Sequence, residues 1–513
     1  MKKWQRVGAG LGIGGLFMAS IAACVGSDPT SDNGGPDGAA SSSGATSGSS
    51  GTTGSSGTTG SSGTTSSSGA TSSSGASSSG AVACTDASDV SSDSNNCGAC
   101  GNKCLTGFGC SAGRCDNEVD DVAAGTHTAC ALLHGGKVYC WGGMNLGVLG
   151  VEPTGSDMDC GSYKCRPTPA AVPGITDAVS VAVGENHVCV AKKDGTVACW
   201  GNNDVGQLAT STATSHSATP LGVGLPVGTI VTQVSTQQDT TCARTSAGEV
   251  YCWGANEGGQ VGRALSASEP TPNKVISSGA TVVRVSANAG AHGHACALAG
   301  NSMYCWGSTL NGEGGGGYTD ESPNVRIVYT GNSMPTLTGV KDIAVAPGET
   351  CTLQSNGSIL CFGSNYVGMF PPKSSTTGHI YPTQVSGLPL DGASIGMASY
   401  GHIFILTAAG DVWAWGIVDA GALGNGIQTG DACGPSDTFT CAAAVSKVTN
   451  LSDIKRVAPS RNFGVALRKD GKIVAWGSNN YANLGHMPGA APDTTCTDTE
   501  PCTLTPTVIA GLP

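Results

Sequence analysis

The chain has 513 residues, of which 80 are glycine, 23 are cysteine and only 12% are charged, with a formal net charge of −12. Average proteins carry about 7% glycine and about 25% charged residues. Glycine at this level opposes long helical arrays; 24 Lys+Arg against 36 Asp+Glu give no basic footprint for nucleic acid; and the cysteine count points to an oxidising compartment.

Lys2, Lys3 and Arg6 precede an apolar stretch, Val7 to Ile21, that is too short to span a membrane comfortably. It ends in Ile21-Ala22-Ala23-Cys24, which resembles the lipobox cut before a lipid-modified cysteine. Residues 1–23 are therefore expected to be a signal peptide, with Cys24 carrying the lipid. The mature chain is expected to be exported and membrane-anchored, at the outer membrane or cell surface. A formal G-x-G-x-x-G match at Gly10–Gly15 falls inside this removable segment, where no strand–helix context supports it.

Residues 24–83 are dominated by Ser, Gly, Thr and Ala, with SSGTTG repeating between 49 and 65. Such a composition buries no core and reads as a disordered tether with a reach of roughly 40–45 Å. Residues 84–115 then carry Cys84, Cys97, Cys100, Cys104, Cys110 and Cys115. The run NNCGACGNKC resembles small cysteine-rich modules of bacterial surface lipoproteins. An even count in an exported segment favours disulfides over zinc or an iron–sulfur cluster, with connectivity open.

Residues 116–513 repeat one phrase seven times, as in CVAKKDGTVACWG at 189–201. The aromatic before its closing Gly is Trp141, Trp200, Trp253, Trp306, Phe362, Trp415 or Trp476, at intervals of 53 to 61 residues. Apolar and polar residues alternate on either side of a Gly-containing turn, which predicts a β-hairpin. Five copies hold Cys at both ends: Cys130/Cys140, Cys189/Cys199, Cys242/Cys252, Cys296/Cys305 and Cys351/Cys361. The other two replace both together, with Phe404/Ala414 and Val465/Ala475. Joint presence or absence is the signature of a covalent pair. Facing residues at a non-hydrogen-bonded site lie about 4.5 Å apart at Cα, within disulfide range. Cys160/Cys165, Cys433/Cys441 and Cys496/Cys502 remain as close pairs that would staple inserted loops.

An extended segment precedes each phrase, and a Gly-rich turn and a Pro-x-x-Val-x-Gly-like segment follow it. Four short strands repeated seven times predict an all-β fold, a seven-bladed β-propeller. The last such segment, 506–513, is expected to close the blade begun at Val119. The recurring pattern is similar to the regulator of chromosome condensation repeat. That resemblance covers about 118–513 and implies blades of 50–60 residues. The family's founding activity, nucleotide exchange on a nuclear GTPase, is not carried over to an exported chain. A secreted bacterial β-lactamase inhibitor protein with similar repeats grips its partner through loops on one face, which implies a binding module.

Catalytic signatures are not found. His187, His294 and His402 share one position in the unit, but equivalent propeller positions lie around a ring and should not converge on a metal. Ser452–Lys455 matches S-x-x-K and Ser31-Asp32-Asn33 matches S-D-N, but the latter lies in the tether and K-T-G is absent. Asp157 and Asp159 read as solvated rather than calcium-bound, and GEGGGG at 312–317 reads as a flexible insert without a phosphate-binding Lys. No cofactor, metal or nucleic acid is expected, and a monomer is. The favoured function is a non-enzymatic module for a protein or glycan ligand, with anchors Tyr163, Tyr318, Tyr366, Phe370 and Tyr481 in the variable loops. The alternative is a glycan lyase or hydrolase with acids gathered at one mouth of the channel.

Overall fold

The computed structural model describes residues 89–513 except 289, 366–377, 399–400, 434–438, 443 and 497–499. Cys24, the tether, Cys84, Tyr366 and Phe370 lie outside the described residues. Seven antiparallel sheets of four or five strands follow one another along the chain. In the second, Ala178–Val183 is innermost, followed outward by His187–Lys192, Val197–Asn202 and His216–Gly222. Cys189 faces Cys199 in register, and the two are joined with Cα atoms 4.2 Å apart. Cys130–Cys140, Cys242–Cys252, Cys296–Cys305 and Cys351–Cys361 are joined likewise, at 4.1 Å. Cys160–Cys165, Cys433–Cys441 and Cys496–Cys502 brace the inserted segments.

The core is divided into seven inter-blade clusters, each built around one of the repeated aromatics. Trp200 packs into the cluster between blades 1 and 2, Phe362 between 4 and 5, and Trp141 between 7 and 1. All seven rings are fully buried, and burying a large apolar side chain contributes about 1.5–3 kcal/mol. The glycine after each aromatic is obligatory. Gly201 has φ +103, and a Cβ there would lie 2.3 Å from the Asn186 carbonyl oxygen.

The indole N–H groups are satisfied by a second repeat. Trp200 Nε1 donates to the Val148 carbonyl of the preceding blade at 2.9 Å. Trp253, Trp306 and Trp476 use the carbonyls of Gln207, Gln260 and Ala422. In every case the acceptor stands seven residues after the previous blade's aromatic. Phe362 has no N–H, and there Thr350, paired with it across the strand, donates its hydroxyl to the Glu313 carbonyl at 2.7 Å.

The ring closes differently from the sequence expectation. Pro501–Val508 does not join the first blade; it pairs with Ile473–Ser478 of the seventh, with Val508 opposite Val474. Blade 1 has its own outer strand, Tyr163–Ala171. The reason is that the Pro-x-x-Val segment follows its Trp-Gly strand by a single connection in every unit, so each unit is already a whole blade. Closure is left to side chains. Trp141 Nε1 donates to the Asn483 carbonyl at 3.0 Å, Ser460 donates to the Gly125 carbonyl, and Val119, Val122 and Trp141 pack on Phe463, Val465 and Ile509.

The cysteine-rich segment is joined by Cys97–Cys110 and Cys104–Cys115, and Cys100 is also disulfide-bonded. It abuts the hairpin of blade 1, where His134 Nε2 lies 3.1 Å from the Ser111 carbonyl and Lys137 sits over the Phe108 ring.

Candidate binding face and central channel

The two faces of the ring differ in construction. One carries the short hairpin turns between second and third strands, such as Lys193-Asp194-Gly195. The other, the loop face, carries the turns between first and second strands and the long connections between third and fourth. Tyr163, Tyr318 and Tyr481 all lie on the loop-face side, in two separate patches.

Tyr163 and Tyr481 come together across the closure of blades 1 and 7, with centroids 5.8 Å apart. His127 joins them, 4.1 Å from the Tyr481 ring. The Cys160–Cys165 disulfide and Met158 pack beneath Tyr481. Burial, helped by the charge of Arg461, pushes His127 down to about 4, so this ring is neutral at physiological pH. Burial, with Tyr163 and Glu500 nearby, raises the Tyr481 phenol. His127 was not singled out in the sequence, although its place in the turn before the first half-cystine of its blade was readable.

Tyr318 belongs to blade 4, where the Arg326 guanidinium stacks 4.5 Å from its ring. The GEGGGG segment beside it is not the flexible insert anticipated. Residues 312–315 are buried, and Gly315, Gly316 and Gly317 have φ +63, +74 and +81. A Cβ would meet Val328 and Phe362 at Gly315, Tyr318 and Tyr329 at Gly316, and the Tyr381 hydroxyl at Gly317. These glycines serve backbone conformation and close approach.

The equivalent histidines are structural and do not converge. His187 Nε2 lies 2.9 Å from Thr241 Oγ1, and His294 Nε2 lies 2.7 Å from Thr350 Oγ1, each reaching the next blade. Burial lowers His187 and His402 to about 4. Among the described residues, ligand atoms of His, Cys, Asp or Glu converge as a possible metal group only at Cys97, Cys104 and Cys115, and these sulfurs are in disulfides. Asp157 pairs with Arg166 and Asp159 with Lys164, each at 2.8 Å.

Acids with raised affinity for protons occur in three places, one of them the channel, where burial raises Asp121 against the opposing charge of Arg456; the other two lie nearer the loop face. Glu313 and Glu349 are enclosed between blades 4 and 5, 0% and 4% exposed. Burial pushes Glu313 up to about 7, and burial together with Glu313 raises Glu349. Glu313 occupies the position of Gln207 and Gln260 in the two preceding units. At the turn of blade 3, burial and the charges of Glu185 and Asp204 push Asp239 up to about 6, while Gln207 donates to it at 2.9 Å. The first pair is sealed from any substrate, and the second place holds a single perturbed acid.

A central channel of about 410 Å³ runs between the seven innermost strands. Opposite each first half-cystine, or its substitute, the lining is small: Ala123, Ala182, Ser235, Ala344, Gly396 and Ala458. Blade 4 alone places a long residue there, Arg284, which reaches Asp342 of blade 5 at 3.3 Å. Arg456 of blade 7 approaches Asp121 of blade 1 at 3.5 Å.

A closed ring of seven antiparallel sheets around a central channel is a seven-bladed β-propeller. An RCC1-like domain matches residues 155–511, and a regulator of chromosome condensation (RCC1) repeat matches 119–147. The chain belongs to the RCC1-like propeller family. The ultraviolet-B receptor UVR8 of Arabidopsis thaliana is 25% identical over 368 residues, covering 71% of this chain and 78% of the receptor. The human E3 ubiquitin-protein ligase HERC2 is 27% identical over 304 residues, covering 57% of this chain but only 6% of the ligase. Prp20p of Saccharomyces cerevisiae superposes with a TM-score of 0.57 at 20% identity, covering 77% of this chain and 88% of Prp20p. Human WBSCR16 gives 0.57 at 18%, covering 73% and 94%. At these identities the structural likenesses carry the fold.

Proposed function

We propose that the propeller is a non-enzymatic protein-binding module that engages its partner through the loop face at the junction of blades 1 and 7. The observation that carries this is the His127–Tyr163–Tyr481 cluster, half-buried aromatic area held at one place by two blades and a disulfide. Rigid aromatic anchors of this kind dominate binding energy at protein interfaces. Family precedent supports the reading, since the Prp20p structure was described together with its binding to Gsp1p and histones. The same partners are not assigned to this chain.

On this reading, lipid at Cys24 and the 24–83 tether hold the propeller outside the cell, at the outer membrane or cell surface. Pull-down from cell-envelope fractions tests the face. Tyr163→Ala with Tyr481→Ala should abolish a capture that Tyr318→Ala retains, and equal capture by both variants would sink the assignment. Metabolic labelling with an alkyne fatty acid tests the anchor, with incorporation lost in Cys24→Ser. Among the described residues, the glycan lyase or hydrolase alternative has Asp239 as its one perturbed loop-face acid that is not sealed between blades. A single such group lacks the second carboxyl that acid–base hydrolysis uses.

A further inference from the structure

We propose, resting on the loop-face reading above, that the partner is a protein with a strongly basic surface, drawn to this face by carboxylates that the fold leaves uncompensated.

The two faces of the ring differ in charge. Among the described residues, the loop-face connections hold twelve Asp and Glu besides the buried Glu313, and their only Lys or Arg are Arg263 and Arg461. The hairpin turns and blade-to-blade connections of the opposite face hold seven acids and four lysines. Strand ends there supply further bases, so that Asp177 meets Lys192, Glu249 meets Lys274, Asp411 meets Lys447 and Asp470 meets Arg468.

The bases near the loop face are already engaged. Arg263 pairs with Glu269, Lys164 with Asp159, Arg166 with Asp157 and Arg326 with Asp320. Glu185, Asp204, Asp239, Asp431 and Glu500 have no cationic partner among the described residues. Against these five stands Arg461, whose charge acts on His127 and Tyr481. Three of the five act on one another. Glu185 and Asp239 lie in the first turns of blades 2 and 3, Asp204 in the long connection of blade 2, and the charges of Glu185 and Asp204 oppose ionisation of Asp239. The folded chain carries this repulsion alone, and a cationic side chain brought against it relieves it.

A second observation, made on other residues, marks the same face as one that receives a macromolecule. The His127–Tyr163–Tyr481 cluster offers aromatic anchors, and Glu500 is near enough for its charge to act on the Tyr481 phenol. Buried aromatic anchors hold a complex together, while the surrounding charge governs encounter and selects the sign of the partner. Anionic polymers and anionic lipid surfaces are repelled by the same field.

The test uses the full chain immobilised for biolayer interferometry at pH 8, where Asp239 is ionised. The probes are cytochrome c, a compact basic protein, and its succinylated, anionic form. Cytochrome c should associate at about 0.01 M ionic strength and fade at about 0.15 M as the screening length shortens, while the succinylated form should not associate. Glu185→Gln with Asp204→Asn and Asp239→Asn should slow association about tenfold. Asp194→Asn with Asp391→Asn and Asp453→Asn removes as many charges from the hairpin face and should change the rate by less than about twofold. Equal loss in the two triple variants, binding of the succinylated form in place of the basic one, or no association of cytochrome c at low salt would each overturn the proposal. The protein captured from envelope fractions should likewise associate more slowly with the loop-face triple variant. Capture that survives Tyr163→Ala with Tyr481→Ala but slows in that triple variant would overturn the anchor and uphold the charge. Capture lost with the tyrosines but unaltered in the triple variant would do the reverse.

Discussion

Replacing Trp141 by Phe would test how the ring is closed. The indole donates to the buried Asn483 carbonyl, 342 residues away, and phenylalanine leaves that oxygen bare. An unsatisfied buried acceptor costs about 1–3 kcal/mol. Loss of ring volume in a packed cluster adds about 1 kcal/mol, for a total of about 2–4 kcal/mol. Blade 5 contains the natural remedy, because Thr350 opposite Phe362 supplies the missing proton to the Glu313 carbonyl. Its counterpart opposite Trp141 is Ala129. Ala129→Thr should therefore recover about 1 kcal/mol in the Trp141→Phe chain. In the parent, where the carbonyl is already occupied and the site fully buried, it should be neutral or harmful. Urea denaturation under non-reducing conditions, followed by near-ultraviolet circular dichroism, yields the coupling energy of the double-mutant cycle. A coupling of zero would refute the idea that the threonine substitutes for the indole.

Stability should depend on pH in two opposed ways. His127, His187 and His402, depressed to about 4 by burial, each withdraw up to about 2–3 kcal/mol as pH falls from 6.5 towards 4, because the unfolded chain takes up protons there first. Glu313, raised to about 7, instead withdraws about 2–4 kcal/mol as pH climbs from 4.5 through 7. Glu313→Gln, the residue used in blades 2 and 3, should raise the melting temperature at pH 8 and flatten the neutral limb of the profile; an unchanged limb would remove Glu313 from it. Gly201→Ala should destabilise by more than about 2 kcal/mol, from positive φ and collision with Asn186 O, measurable by thermal melting. Replacing Cys189 and Cys199 with the Val and Ala of blade 7 should cost about 2–3 kcal/mol yet keep the hairpin. Loss of native circular dichroism would show that the disulfide, and not strand register, specifies the unit.

Much of the architecture is legible along the chain because its determinants are local. Alternation with period two, a glycine turn and cysteines ten residues apart define each hairpin within about a dozen residues, and sevenfold repetition makes the pattern statistically loud. The same logic led to Tyr163 and Tyr481 as loop aromatics, without indicating that they would meet. It misread Gly312–Gly317, since close packing by Tyr318, Tyr329 and Tyr381 leaves the same glycine signature as flexibility. It also assigned 506–513 to the wrong blade, because a repeat does not reveal where its own phase begins.

Sequence by itself thus determined the number of blades, the strand register, the pairing of the blade cysteines and the aromatic peg of each unit. All of these follow from side-chain period and short-range turn chemistry. Only the tertiary structure decided which residues face one another once residues 119 and 508 are carried round into the same ring. The His127–Tyr163–Tyr481 cluster, the Trp141–Asn483 bond and the Asp121–Arg456 pair join blades at opposite ends of the chain. The channel has no sequence signature at all, because it is lined by one or two positions from each of seven strands and exists only when the ring is closed.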